Sequence, residues 1–130
     1  MTQDNLILLQ KAMDTASLRQ RTISNNIANI NTGGYKVERV VFEDKLKDAI
    51  SASELQLART NEKHITVAGG ALDTIEPTVQ KRTDTSVKEN GNNVDIDLEM
   101  SEKSVNELYY SALTRQMNGE FSLLNYVINH

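Results

Sequence analysis

Apolar residues recur along the first thirty positions as Leu6, Leu9, Met13, Ala16, Ile23, Ile27 and Ile30, with spacings of three and four. Gln20 fills the one polar position in the series. A repeat near 3.5 residues is the period of a coiled-coil seam, because it keeps one narrow stripe of a helix turned toward a partner helix. Neither glycine nor proline occurs between 1 and 32, so the pattern predicts an unbroken helix over that stretch. An amphipathic helix on its own domain's core is the plainer alternative. The narrowness and persistence of the stripe favour the seam, where Gln20 fixes register at some cost in stability.

The other end behaves alike. Tyr110, Leu113, Met117, Phe121, Leu124 and Ile128 form one stripe, widened upstream by Val105, Tyr109 and Ala112. A helical unit over 94–130 follows, with Asp97 as its N-cap and Glu99 and Glu102 suiting the positive end of its dipole. Gly119 lies inside this pattern at a cost of about 1 kcal/mol relative to alanine, and its missing side chain leaves room for another backbone.

Between the helices the periodicity dissolves. Residues 33–57 read as a turn, a short extended piece and a mixed helical stretch carrying Val40, Val41, Phe42, Leu46 and Ile50. Residues 58–93 are rich in Thr, Asn, Lys and Gly and read as a mobile linker or small β excursion, with short strands at 64–67 and 78–82. The predicted class is mainly α: long amino- and carboxy-terminal helices pack as a coiled coil across a linker holding short β segments.

Composition sharpens this picture. Apolar residues make up 38% of the 130 and aromatics 5%, thin for a self-sufficient core. The chain therefore either completes its core with other chains or is a loose monomer. Net charge is −4, without the basic excess that phosphate backbones demand, so a nucleic-acid partner is not expected. Residues 1–47 hold seven Lys/Arg against five Asp/Glu and residues 94–130 hold two against six, a mild complementarity between the ends. No cysteine is present, which removes disulfides and thiolate metal sites. No run reaches the ~18 apolar residues of a membrane span, and no cleaved secretory signal is expected at the amino terminus.

Candidate chemistry is sparse. His64 and His130 lie in a polar segment and at the last position, so neither suggests a catalytic base or zinc ligand. "DIDLE" at 95–99 alternates acids, but it lacks the glycine and distant glutamate of a calcium loop and reads better as a polar lead-in to a helix. "NTGGYK" lacks the phosphate-loop pattern. Its plainer reading is a helix stop at Gly33 or Gly34, followed by Tyr35. No cofactor, metal or catalytic residue is expected.

One stretch resists these accounts. "NNIANINTGGYK" at 25–36 crowds Asn25, Asn26, Asn29 and Asn31 around the seam positions Ile27 and Ile30. Amides donate and accept at once, so four of them suggest a packed polar contact between chains. The same stretch resembles the amino-terminal motif of the rod and hook family, the axial proteins of the bacterial flagellum. Asn26, Ala28, Asn29, Asn31, Thr32, Gly34, Tyr35 and Lys36 stand in corresponding places, with Gly33 where that family often has proline. "GNNVDIDLEM" at 91–100 and the closing "FSLLNYVIN" are similar to those of proximal rod members. The resemblance is specific over 23–46 and 91–128.

The resemblance implies a structural subunit of the proximal rod that assembles helically through its terminal helices into a hollow drive shaft. It also implies other rod subunits and the base and ring components as partners. Export would run through the flagellar type III apparatus without signal cleavage. The assembly interface would then comprise the two stripes with Gln20, Asn26 and Asn29, while Gly33, Gly34 and Tyr35 form the turn after the first helix. A cytoplasmic coiled-coil adaptor is the alternative, and only the two motifs speak against it.

Overall fold

The computed structural model describes residues 2–57, 69–84 and 88–130. Six elements follow in order: α1 (Thr2–Ala28), β1 (Glu38–Val41), α2 (Glu43–Leu57), α3 (Gly69–Thr74), β2 (Thr78–Lys81) and α4 (Ile96–Asn129). The long terminal helices pack on each other, as expected. Asn26 meets Glu99, the Ala16 carbonyl meets Asn106, and Ala12 and Ala16 pack with Leu113, so the pair is antiparallel. Leu9 and Met13 close over this small cluster. Alanines at the contact let the helices approach closely, and the buried apolar area is correspondingly modest.

α4 has 34 residues and α1 has 27. At about 1.5 Å per residue, the Asn26–Glu99 register sets Thr2 opposite roughly residue 123. The last two turns of α4 therefore run beyond Thr2.

β1 and β2 form an antiparallel pair in which Glu38 faces Lys81 and Val41 faces Thr78. Strand β2 realises the expected extended piece at 78–82, whereas the one expected at 64–67 lies outside the described residues. Two strands alone are marginal. This pair is held because Val37, Val40 and Phe42 are buried, with β1 against α1. Arg19 forks onto both carboxylate oxygens of Glu43 at 3.0 and 2.9 Å, fastening the start of α2 to α1. Lys11 bonds the Glu76 carboxylate and Lys45 its carbonyl, which ties down the approach to β2. In each ion pair the carboxylate is exposed, so each contributes at most about 1 kcal/mol.

Two boundaries depart from expectation. The first helix ends at Ala28 rather than continuing to 32: beyond it the backbone tightens into i→i−3 bonds, Ile30 to Ile27 and Thr32 to Asn29, and the Asn29 side chain adds a second donor to the Asn25 carbonyl. The N-cap of α4 is Asp95, not Asp97: the Asp95 carboxylate accepts from the amides of Asp97 at 3.0 Å and Leu98 at 3.4 Å. The alternating acids of "DIDLE" hid which of them stops first. Asp95→Ala should destabilise the chain by about 1 kcal/mol while Asp97→Ala costs a few tenths, a difference readable by thermal unfolding.

Candidate functional site

The two motifs singled out in the sequence meet in space. A helix leaves its last carbonyls without intrahelical donors. At the end of α1 these donors come from the far end of the chain. The Asn92 amide nitrogen donates to the carbonyls of Asn29 (2.9 Å), Ile30 (3.1 Å) and Thr32 (2.8 Å), and Lys88 Nζ also reaches Ile30 O at 2.6 Å. Asn92 is fully buried, and its own oxygen accepts from the Val94 amide. In return the Gly34 amide donates to Asn90 O at 2.8 Å and Lys36 Nζ to Gly91 O at 2.6 Å. Asn93 completes the latch: its oxygen accepts from the Val37 amide and its nitrogen donates to Arg82 O.

Positive φ dictates the glycines. Gly34 has φ +70 and Gly91 has φ +83, and a Cβ on Gly91 would lie 3.7 Å from Gly34 Cα. Gly34 thus carries the turn, which the sequence left open between it and Gly33. A β-branched residue in this conformation costs about 1–3 kcal/mol. Gly34→Val should lose that amount of stability, whereas Gly33→Ala, with nothing within 4 Å of its added Cβ, should stay within about 0.5 kcal/mol. Equal losses in chemical denaturation would contradict this placement of the turn.

One turn back in α1, Asn26 is fully buried and uses every hydrogen-bonding position it has. Its nitrogen donates to Glu38 O (2.9 Å) and Glu99 Oε2 (3.2 Å). Its oxygen accepts from the Tyr35 hydroxyl (3.0 Å) and the Glu38 amide (2.9 Å). Glu99, also fully buried, takes its second bond from the Arg39 guanidinium. A buried carboxylate is tolerable because it is paired and bonded on both oxygens. Asn26 therefore staples β1 and α4 to α1. This corrects the expectation that Asn26 faces a neighbouring chain: its capacity is spent inside its own. Asn29 likewise spends its nitrogen on Asn25 O at 2.8 Å.

Burial, then the nearby Glu38 and Glu99 charges, raise the Tyr35 pKa above the ordinary phenol value of about 10. The folded pKa exceeds the unfolded one, so this contribution is intact below the unfolded value and is lost as pH climbs through the folded one. Unfolding between pH 9 and 11 should show a drop in stability above about 10 that is smaller in Tyr35→Phe. Parallel curves would contradict it.

The remaining stripe positions fall into two groups. Ala16, Ile23 and Leu113 are buried, while Leu6, Leu9, Met13, Gln20, Ile27, Ile30, Met117 and Leu124 are half-buried along the pair. Tyr110, Phe121 and Ile128 are exposed. The residues of α4 turned deepest toward α1 are instead Glu99, Asn106 and Leu113, seven apart. Two of these are polar, so a hydrophobic pattern could not find them. Their heptad spacing from Leu113 was the available signal. A second face of α4, with Leu98, Val105, Tyr109, Leu123 and Val127, stays exposed. Among the described residues no cluster of His, Cys, Asp or Glu could hold a metal, and no helix is long and apolar enough to cross a membrane. What the arrangement offers is a polar latch and a bare apolar face.

Comparison with known proteins places this latch in a wider set. The family model for flagella basal body rod proteins matches residues 7–36, which cover most of α1 and the turn after it. The chain is 38% identical over 120 residues to the flagellar basal body rod protein FlgB of Bacillus subtilis (strain 168), covering 92% of this chain and 89% of that relative. It is 38% identical over 126 residues to FlgB of Borrelia hermsii, covering 93% of each. FlgB of Escherichia coli (strain K12) is 31% identical over 124 residues, covering 88% of each.

Proposed function

The chain belongs to the FlgB family of flagellar basal body rod proteins, and from that membership we propose that it builds the proximal rod, packing helically through α1 and α4 into a hollow drive shaft. It is a structural subunit of the rod and assembles with other basal body components. We assign it no catalytic role. Its neighbours in this reading are further rod subunits, copies of itself, and the base and ring components. It reaches them through the flagellar type III export apparatus without signal cleavage. The cytoplasmic adaptor reading finds no support in these relatives.

One observation carries the assembly reading. Val105, Leu108, Leu123, Tyr126, Val127 and Ile128 are 57–79% exposed along a single helix, while the polar motifs are consumed within the chain. Contiguous apolar surface of this kind marks a protein contact. The interface is thus the outer face of α4, with Tyr110, Phe121 and the half-buried Leu6, Ile27 and Ile30, rather than the asparagines. The turn at Gly33, Gly34 and Tyr35 shapes the subunit that presents it. Deleting the chain from its flagellated host should remove the rod and swimming together, and labelled chain should co-purify with basal bodies. A host that builds complete rods without it would overturn the reading.

A further inference from the structure

Resting on the rod reading, we propose that each copy seats the outer ridge of its α4 in the α1–α4 groove of the next copy, with Arg115 of the ridge paired to Glu107 of the groove. The groove has a volume of about 370 Å³ and is lined by Ala16, Ser17, Gln20, Asn106, Glu107 and Tyr110, with Ser111 at its edge. Glu107 is the one charged side chain in that lining and is exposed, without an ion pair or hydrogen bond among the described residues. The groove on the other side of Asn106 carries Arg19 and Arg39 together with Glu43 and Glu102, so its charges balance, and both arginines are already paired with carboxylates.

The groove is also incomplete in one chain. Asn106 is 4% exposed and donates to Ala16 O (2.9 Å) and Gln20 Oε1 (3.1 Å), yet its own Oδ1 has no donor. Among the described residues it is the one buried side-chain polar atom so left. An unmatched buried acceptor destabilises the free subunit. A neighbour that offers a guanidinium here supplies the missing donor.

The same helix carries the complementary surface on its other side. At about 100° per residue, Arg115 points half a turn away from Asn106, and Leu108, Ala112 and Gly119 lie within about 60° of it. All four are exposed, and nothing lies within 4 Å of a Cβ added to Gly119. Arg115, too, has no ion pair or hydrogen bond among the described residues. A ridge with one apolar knob, small residues and one cation matches a groove with one anion and an unfilled acceptor. Groove and ridge are different patches that adjoin at Ser111, so the contact is heterologous. Repetition then gives an open filament rather than a closed pair.

Charge exchange tests this. Glu107→Arg and Arg115→Glu should each weaken the contact about tenfold and cut rod number and swimming, with unfolding of the purified chain unchanged. The double variant, and cells co-expressing the two single variants, should regain swimming. Residues 107 and 115 are two turns apart on one helix and cannot pair within a chain, so rescue requires two copies. Either single variant swimming normally, or a double variant no better than the singles, overturns the pairing. A deletion strain that still builds rods overturns the rod reading itself, which keeps the two failures distinct.

Discussion

Asn26→Asp should cost the folded chain about 3–5 kcal/mol at neutral pH, a large share of the 5–15 kcal/mol that stabilises a typical domain. The substitution is isosteric, so packing is unchanged and chemistry alone decides the result. Aspartate has no hydrogens to donate, so the Glu38 carbonyl and Glu99 Oε2 lose the donor that lies 2.9 and 3.2 Å away. It also places a second carboxylate against Glu99, which is fully buried and pairs with Arg39. Two carboxylates at this separation cannot both stay ionised cheaply. Protonating one of them relieves the repulsion, so stability should partly return as pH falls toward 5. Thermal unfolding at pH 7 and pH 5 reads both effects. A loss under 1 kcal/mol, or a loss that grows on acidification, would show that Asn26 is not the staple described.

Leu123→Asp should have the opposite profile, with no effect on the isolated chain and complete loss of rods. The side chain is 57% exposed and lies near the end of α4, where the register leaves α1 almost behind. Monomer stability should therefore shift by less than about 0.5 kcal/mol. On the proposed assembly the same position is desolvated in the shaft. An unpaired carboxylate there costs several kcal/mol in every subunit. Repeated contacts multiply the penalty, so the cells should be non-swimming and yield no basal bodies containing the chain. Unfolding of the purified variant separates an assembly defect from a folding defect. Normal swimming would remove the distal face of α4 from the interface.

The two long helices were legible because their apolar residues repeat with a period that admits few other readings. The β1–β2 pair was readable only as two short extended pieces, because its stability comes from α1 behind it and not from its own pattern. The latch was half legible. Gly33 or Gly34 marked the turn, and the asparagines were visibly too numerous for an ordinary helix end. Their partners lie some sixty residues away, in a stretch with no periodicity, and nothing in sequence spacing says that Asn92 caps the helix ended by Asn29. Counting amides suggested a contact between chains. Geometry shows Asn25, Asn26 and Asn29 bonding within one chain. Glu99 and Asn106 were missed for a related reason, since a search for buried positions by hydropathy passes over residues buried through hydrogen bonds.

The account separates an inward polar latch from an outward apolar helix face, and density for the chain within an intact basal body tests that division most directly. The chain should sit in the rod with Asn26 against Glu99 of the same copy and with Leu108, Leu123 and Val127 covered by neighbouring chains. A rod without this chain, or one in which that face of α4 meets solvent while Asn26 bonds another subunit, would contradict it.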